Sequence, residues 1–394
     1  MYTLSELSSP NILTMLYSVV KMSVTRRRGL DTMPMDLLIY IRLFLYEPDR
    51  TSIKAYVDSA KCPFQLVCRR FRTVELSIPS LWVFVDPCAM TVRQIRTQME
   101  RSGTLGMTFN ISWSRFSSPQ RAFLTCYCER LKFLAENGSR FSVAYVEIAD
   151  DVEVPGGEHG PHSCLTALGG LSLPSLTTFD VGYIDDKATP TVCSWVMPSI
   201  RILRIIFIKD LILYVQDPES LHTVEWNVEG ADVSIGVILE TLSNGPISNL
   251  QKLRVEWFDV VFEDPITLVP FVELPQLKEF QLIAKEEELE PEYIVDFFRR
   301  IRMPTLERLY IVCHETLIEV AGLIPEDGIN FTDWVCELKN PSLVDVRIDV
   351  VGEGELEYAK FQESITRRLN TPQNQGPCVK IKYISTETDT EIEE

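Results

Sequence analysis

One apolar pattern, repeated along more than half of the chain, limits the folds open to it. A leucine-like anchor is followed three and five residues later by further apolar residues: Leu176, Phe179, Val181; Ile200, Leu203, Ile205; Leu221, Val224, Trp226; Leu250, Leu253, Val255; Leu277, Phe280, Leu282; Leu306, Leu309, Ile311; and Leu343, Val346, Ile348. Val143, Val146 and Ile148 form a candidate earlier member. Pro stands two residues before five of the anchors, at Pro174, Pro198, Pro275, Pro304 and Pro341. With 45% hydrophobic residues and 23 Pro among 394, chance supplies roughly two Pro-anchored matches. Seven are present, and the two outside the series begin at Pro10 and Pro190.

Successive anchors from Leu176 are 24, 21, 29, 27, 29 and 37 residues apart, overlapping and slightly exceeding the ~20–29 residues of leucine-rich repeats. Each unit supplies a short strand whose apolar residues it cannot bury alone. Stacking neighbours in parallel, with a returning segment behind, closes the core. The expected fold is therefore α/β, an irregular leucine-rich-repeat-like solenoid with parallel strands over residues 140–384. An ordinary α/β sheet without solenoid symmetry is the alternative. Two return paths, Val233 to Leu242 and Glu292 to Arg302, have helical spacing, and Glu286, Glu287, Glu288 and Glu290 precede the second. Residues 85–139 form an α/β linker region: a helix at Thr91 to Arg101, a strand alternating through Leu105, Met107, Phe109, Ile111 and Trp113, and a helix at Pro119 to Glu136.

Charge is distributed unevenly. Lys and Arg number 38 against 56 Asp and Glu, a net charge of -18. Residues 1–100 are mildly basic, so the acidic excess belongs to the repeat-bearing remainder. Nucleic acid is an unsuitable partner, because phosphate binding depends on cationic side chains. The expectation is an acidic recognition surface that attracts basic protein substrates. The ten Cys have no framework spacing and no Cys-x-x-Cys pair. No secretory signal is evident: the apolar run from Ile12 to Val20 is interrupted by Thr14 and Ser18 and followed by Arg26, Arg27 and Arg28. It is also far short of the ~20 residues that span a bilayer. These features point to a reducing compartment, cytosol or nucleus, with no membrane partner and Cys serving mostly as buried hydrophobes.

Residues 1–29 read as a flexible arm, and residues 385–394, with Glu387, Asp389, Glu391, Glu393 and Glu394, as an acidic disordered tail. Between arm and repeats, residues 30–84 read as short helices. Thr32 is a cap with Pro34 in the first turn, and Leu37, Leu38, Ile41, Phe44 and Leu45 form a wide apolar stripe. A second helix, Phe64 to Val74, carries Leu66, Val67, Phe71 and Val74 with Arg69, Arg70 and Arg72 interleaved. So small and apolar a piece needs a partner surface to bury its stripe.

This segment resembles the F-box family. Met33-Pro34-Met35-Asp36-Leu37-Leu38 is close to the family's Leu-Pro-x-Glu-Ile-Leu opening, Leu66-Val67-Cys68-Arg69-Arg70-Phe71-Arg72 to its Leu-Val-Cys-Arg-Arg-Trp/Phe-Arg centre, and Pro79-Ser80-Leu81-Trp82 to its closing Pro-x-Leu-Trp. Met99-Glu100-Arg101-Ser102-Gly103-Thr104-Leu105 is similar to the segment that follows F-boxes in many fungal proteins of this class. The chain departs from the family in its Met-Pro opening, in Asp36, and in extra residues over roughly Asp49 to Lys61. The resemblance implies a three-helix module that docks on a Skp-type adaptor, and through it on a cullin-based ubiquitin ligase, while the repeats hold a protein substrate. Candidate adaptor contacts are Pro34, Leu37, Leu38, Ile41, Leu45, Leu66, Val67, Cys68, Phe71 and Trp82. Each is equally suited to packing inside the chain. A repeat scaffold without a link to ubiquitin, capped by these helices, is the alternative.

Catalytic patterns do not emerge. The sequence lacks a Gly-rich phosphate loop, a nucleophile elbow and a His-Glu-x-x-His zinc motif. His159, His162 and Cys164 are close together, but no second ligand pair has zinc-like spacing, so a surface loop is expected there. Cys126 and Cys128, two apart on a helix, point in different directions and suit neither a shared metal nor a mutual disulfide. The chain is therefore read as noncatalytic and without cofactor.

Overall fold

The computed structural model describes residues 34–39, 69–112, 121–148, 168–184, 194–206, 221–229, 239, 242–243, 249–258, 271–284, 297–314, 342–352 and 378–385. The chain forms two compact units, Met1–Phe84 with Arg96–Leu105, and Val85–Ile95 with Gly106–Glu394. The arm, the 49–61 insertion, the His159 loop and the acidic tail lie outside the described residues.

The second unit is built on parallel strands. An eleven-stranded sheet contains, in spatial order, β1 (Phe84–Val85), β2 (Met107–Ser112), β3 (Phe141–Ile148), β4 (Thr178–Ile184), β5 (Ile202–Ile206), β6 (Thr223–Glu229), β7 (Lys252–Phe258), β9 (Glu279–Ala284), β11 (Arg308–His314), β12 (Asp345–Gly352) and β13 (Cys378–Ser385). Every pairing from β2 to β13 is parallel. Two short strands, β8 (Val272–Glu273) and β10 (Ile301–Arg302), make a separate parallel pair. The helices whose bounds lie within the described residues are α1 (Arg69–Ser77), α2 (Val92–Arg101) and α3 (Arg121–Glu136). The fold is thus α/β with a largely parallel sheet and few helices among the described residues.

The apolar triplets stand in register. Phe179, Leu203, Val224, Leu253, Phe280, Leu309 and Val346 align across seven strands, as do Val181, Ile205, Trp226, Val255, Leu282, Ile311 and Ile348. All are buried, as are the seven anchors. An inward step of two residues between the last two members fits the period of a strand. The three-residue step from the anchor crosses the strand's entrance. There the carbonyl one residue after each of the first six anchors accepts two N–H groups from the next unit: Thr177 from Arg201 and Ile202, Arg201 from His222 and Thr223, and so on to Glu307 from Val344 and Asp345.

The prolines make corners. Leu176 N donates to Leu173 O, Ile200 to Met197, Leu277 to Leu274 and Leu306 to Met303, each closing a turn with Pro at its second position. The fixed φ of Pro suits that place, which asks for no N–H. Before each corner the chain is extended and paired: Leu173 N donates to Val196 O, Val196 N to Leu171 O, and Leu274 N to Arg302 O. The buried pairs Leu171 and Leu173, Trp195 and Met197, Val272 and Leu274, and Ile301 and Met303 extend the motif upstream.

Two expectations are corrected. The earlier repeat begins at Phe141, not Val143: Ala144 aligns with Phe179 and Val146 with Val181, and Thr177 N donates to Ser142 O. The helical return predicted to Arg302 is helical over 297–300, and Ile301–Arg302 form β10 instead. Within residues 85–139, β2 and α3 fall in the second unit.

Candidate functional site

In the first unit, residues 35–39 are helical and Leu38 N donates to Pro34 O at 3.2 Å. Pro34 is exposed and Leu37 is 37% exposed, while Leu38 is fully buried. Ile41, Leu45, Leu66, Val67 and Cys68 lie outside the described residues, and α1 includes Phe71. Trp82 is half-buried in a 3-10 turn, Pro79–Trp82. Its indole N–H donates to the Glu75 carbonyl at 2.9 Å, and the Arg101 guanidinium sits 4.2 Å from its ring centroid. Trp82 is therefore held by its own unit. The Arg101-Ser102-Gly103 segment terminates α2: Ser102 N donates to Gln98 O, and Gly103 takes φ 61°, the left-handed position that glycine fills at helix ends.

Among the described residues no group of three or more His, Cys, Asp or Glu could hold a metal ion. Burial pushes the Cys88 and Cys313 thiols up to about 12, so neither supplies a thiolate at neutral pH. Both are free, whereas Cys128 is disulfide-bonded, an exception to the expectation that the cysteines serve mostly as buried hydrophobes. No helix among the described residues is long and apolar enough to cross a membrane.

Among the described residues, charged side chains gather on the polar face of the sheet. Residues that alternate with the buried ladder project to the side away from the core. Tyr145, Asp180, Arg204, Glu225, Arg254, Gln281, Tyr310, Arg347 and Lys380 form one row across nine strands. Arg204 binds Glu225 at 2.9 Å and Asp180 at 3.4 Å. Glu279 receives both Lys252 at 2.9 Å and Arg308 at 3.1 Å. Arg254 pairs with Glu256 at 2.8 Å. Asp349, 2% exposed, accepts two hydrogen bonds from Arg347 and one, at 2.8 Å, from the Tyr310 hydroxyl.

Two carboxylates on this face differ in their electrostatics. Burial raises Asp180 to about 6; Arg204 opposes the rise, and the like charge of Glu225 adds to it. Burial also pushes Asp349 up, but hydrogen bonds from Arg347 and Tyr310 outweigh it and hold the group below the usual carboxylate range.

The described strand face is mixed in charge, with Arg204, Lys252, Arg254, Arg308, Arg347, Lys380 and Lys382 standing among its carboxylates. The acidic excess of the sequence is carried elsewhere. The face is instead graded: Glu147, Asp180 and Glu225 outnumber Arg204 over β3 to β6, whereas Arg308, Arg347, Lys380 and Lys382 outnumber Asp345 and Asp349 over β11 to β13. This grading escaped sequence reasoning because neighbours in the row are 21 to 37 residues apart and only strand register brings them together. Compared with known proteins, the chain matches no family model, no curated protein and no solved structure.

Proposed function

We propose that the chain is the substrate-receptor subunit of an SCF-type ubiquitin ligase, with residues 30–84 an F-box that binds a Skp-type adaptor and, through it, a cullin. Its repeats form a leucine-rich-repeat-like solenoid whose polar strand face receives a protein substrate. The receptor contributes no catalysis of its own and works in the cytosol or nucleus. The observation that carries this reading is the ordered set of F-box-like residues, with Pro34 and Leu37 exposed on one helical turn, ahead of a long parallel ladder. An exposed Leu on a helical turn suits helix-in-groove docking, and a repeat array suits an extended partner. The disulfide at Cys128 is the observation that speaks against a reducing compartment.

A second reading, a protein-binding scaffold with no link to ubiquitin, is favoured by the complete burial of Leu38 and the internal ties of Trp82. Co-expression with a Skp-type adaptor separates the two. The receptor reading expects co-elution on size exclusion, lost in the full-length Pro34→Ala, Leu37→Asp variant. Absence of co-elution from the native chain, or equal capture of the variant, sinks it.

A further inference from the structure

The acidic end of the strand face holds acceptors that its own donors do not satisfy. On β3, Glu147 receives the hydroxyls of Ser112 at 3.0 Å and Tyr145 at 3.1 Å, both on Oε2, and has no Lys or Arg partner among the described residues. On β4, Asp180 meets Arg204 at 3.4 and 3.5 Å, well beyond the ~2.7–2.9 Å of a charge-assisted bond. Arg204 makes its short contact, 2.9 Å, with Glu225 on β6 instead. One guanidinium is thus drawn between two carboxylates while a third has no cation. Gly182 lets the under-served pair approach: a Cβ there would lie 3.2 Å from the Glu147 side chain and 3.4 Å from the Tyr145 hydroxyl. Glu147 therefore leans over β4 beside Asp180.

A separate shortage of donors lies at the head of the same row. Asn110 stands opposite Tyr145 in register and alternates with the buried Phe109 and Ile111, so it belongs to the polar side. It is 1% exposed, yet its Oδ1 has no hydrogen-bond partner among the described residues. A buried acceptor left without a donor is costly, and a ligand N–H relieves that cost. The Arg204 side chain beside this corner is 40% exposed, so the corner is reached from outside.

We propose that the corner formed by Asn110, Glu147 and Asp180 binds an arginine side chain of the protein substrate, carried on a basic extended segment that crosses β3 to β6. This inference rests on the reading of the strand face as a substrate surface, but not on adaptor binding or ubiquitin transfer. A guanidinium brings five N–H donors in a planar fork that takes carboxylates bidentately, whereas an ammonium is a compact point charge. Alternate residues of an extended segment project to one side about 6.6 Å apart, and the three strand spacings from β3 to β6 cover about 14 Å. Ionisation of Asp180 sets how strongly the corner attracts a cation. Burial raises its carboxyl to about 6, Arg204 on β5 opposes the rise, Glu225 on β6 adds to it, and Tyr145 and Glu147 flank it on β3. The site therefore gains negative charge as pH rises through 6.

The test uses the full chain and a labelled heptapeptide of alternating Gly and Arg with blocked ends. A citrulline counterpart keeps the shape and removes the charge, and a Lys counterpart keeps the charge and removes the fork. The Arg peptide should bind at least ~5-fold more tightly than the Lys peptide and should weaken as salt rises. The citrulline peptide should not bind. Glu147→Gln with Asp180→Asn should weaken the Arg peptide at least ~10-fold, whereas Glu307→Gln, which removes an acid at β11, should leave it unchanged. Urea midpoints report whether each variant is folded; should the double variant unfold, the two single variants decide. From about pH 5 to 7 affinity should rise in the native chain and stay level in Asp180→Asn. Equal binding of Arg and citrulline peptides, equal binding of Arg and Lys peptides, or an equal loss on Glu307→Gln overturns the proposal. Failure of adaptor co-elution beside specific Arg-peptide binding removes the ligase reading and leaves this site standing.

Discussion

Thr305 Oγ1 donates to the carbonyl of Pro275 at 2.8 Å, joining the corner of one repeat to the corner of the repeat before it. It also reaches Leu277 O at 3.1 Å. Ser199 makes the same bridge to Pro174 O at 2.7 Å. The residue after the corner Pro thus fastens adjacent units through a hydroxyl. Thr305→Val, which keeps the shape and removes the donor, should lower stability by about 1 kcal/mol, read as a lower urea midpoint at unchanged slope. Ser199→Ala should shift it in the same direction; no shift in either would mean that water replaces the bond without loss.

Asp180 should make stability fall as pH rises. Its carboxyl is raised from the ordinary 3.8 to about 6 by burial, so the folded state holds a proton that the unfolded chain releases first. The protonated form's advantage is complete below about pH 4, declines through pH 6, and is absent above it. A shift of this size corresponds to on the order of 3 kcal/mol. Urea midpoints from pH 4 to 7 should slope downward more steeply in the native chain than in Asp180→Asn. Parallel slopes would place the carboxyl in a more solvated setting.

Gly138 sits where backbone meets backbone: a Cβ built there would lie 2.1 Å from the carbonyl oxygen of Ser172. Neither partner is a flexible side chain, so Gly138→Ala must displace the segment leading into β4. The expected loss is about 1–3 kcal/mol, as in overpacked cores. Gly103→Ala, with open space around it but a φ of 61°, should cost only the left-handed strain. Thermal melts of both variants would show the ordering, and equal melting temperatures would refute it.

Phe280 and Phe271 should separate core from surface. Phe280 is fully buried against Phe297 and Phe298, with centroids at 6.2 and 5.6 Å. Phe280→Ala should cost about 3–5 kcal/mol. Phe271 is 62% exposed, with Arg300 and Arg302 over its ring at 5.2 and 5.6 Å. Phe271→Ala should cost no more than about 1 kcal/mol, the worth of an exposed cation–π contact. Denaturant titration of the two variants compares them directly.

The parallel ladder was legible because Leu176, Phe179 and Val181 and their successors obey one rule fixed by the corner and the strand. Where the local geometry changes, the rule misses. In β2 a bulge between Met107 and Thr108 places Met107 opposite Phe141, shortening the spacing to Phe109 by one residue. In β13, Val379 and Ile381 align with Val346 and Ile348, but Gly376 occupies the place of the anchor. The short strand at Ile301–Arg302 was hidden because Phe297, Phe298 and Ile301 also satisfy helical spacing. Helix α2 was better signalled, since Thr91 and Gln94 cap it reciprocally: each backbone N–H donates to the other's side-chain oxygen. The strand face was least legible, because composition reports how much charge a region holds but not which side of a sheet receives it.

The doubly accepting carbonyls at the strand entrances have a consequence for how such a chain can change. Each entrance sets its alignment from the unit before it, not from the length of the excursion that led there. Anchors 21 residues apart and anchors 37 apart deliver their strands to the same register. Insertions and deletions in the excursions are therefore forgotten at the next corner, and the array can lengthen, shorten or decorate its connections while the ladder stays unchanged.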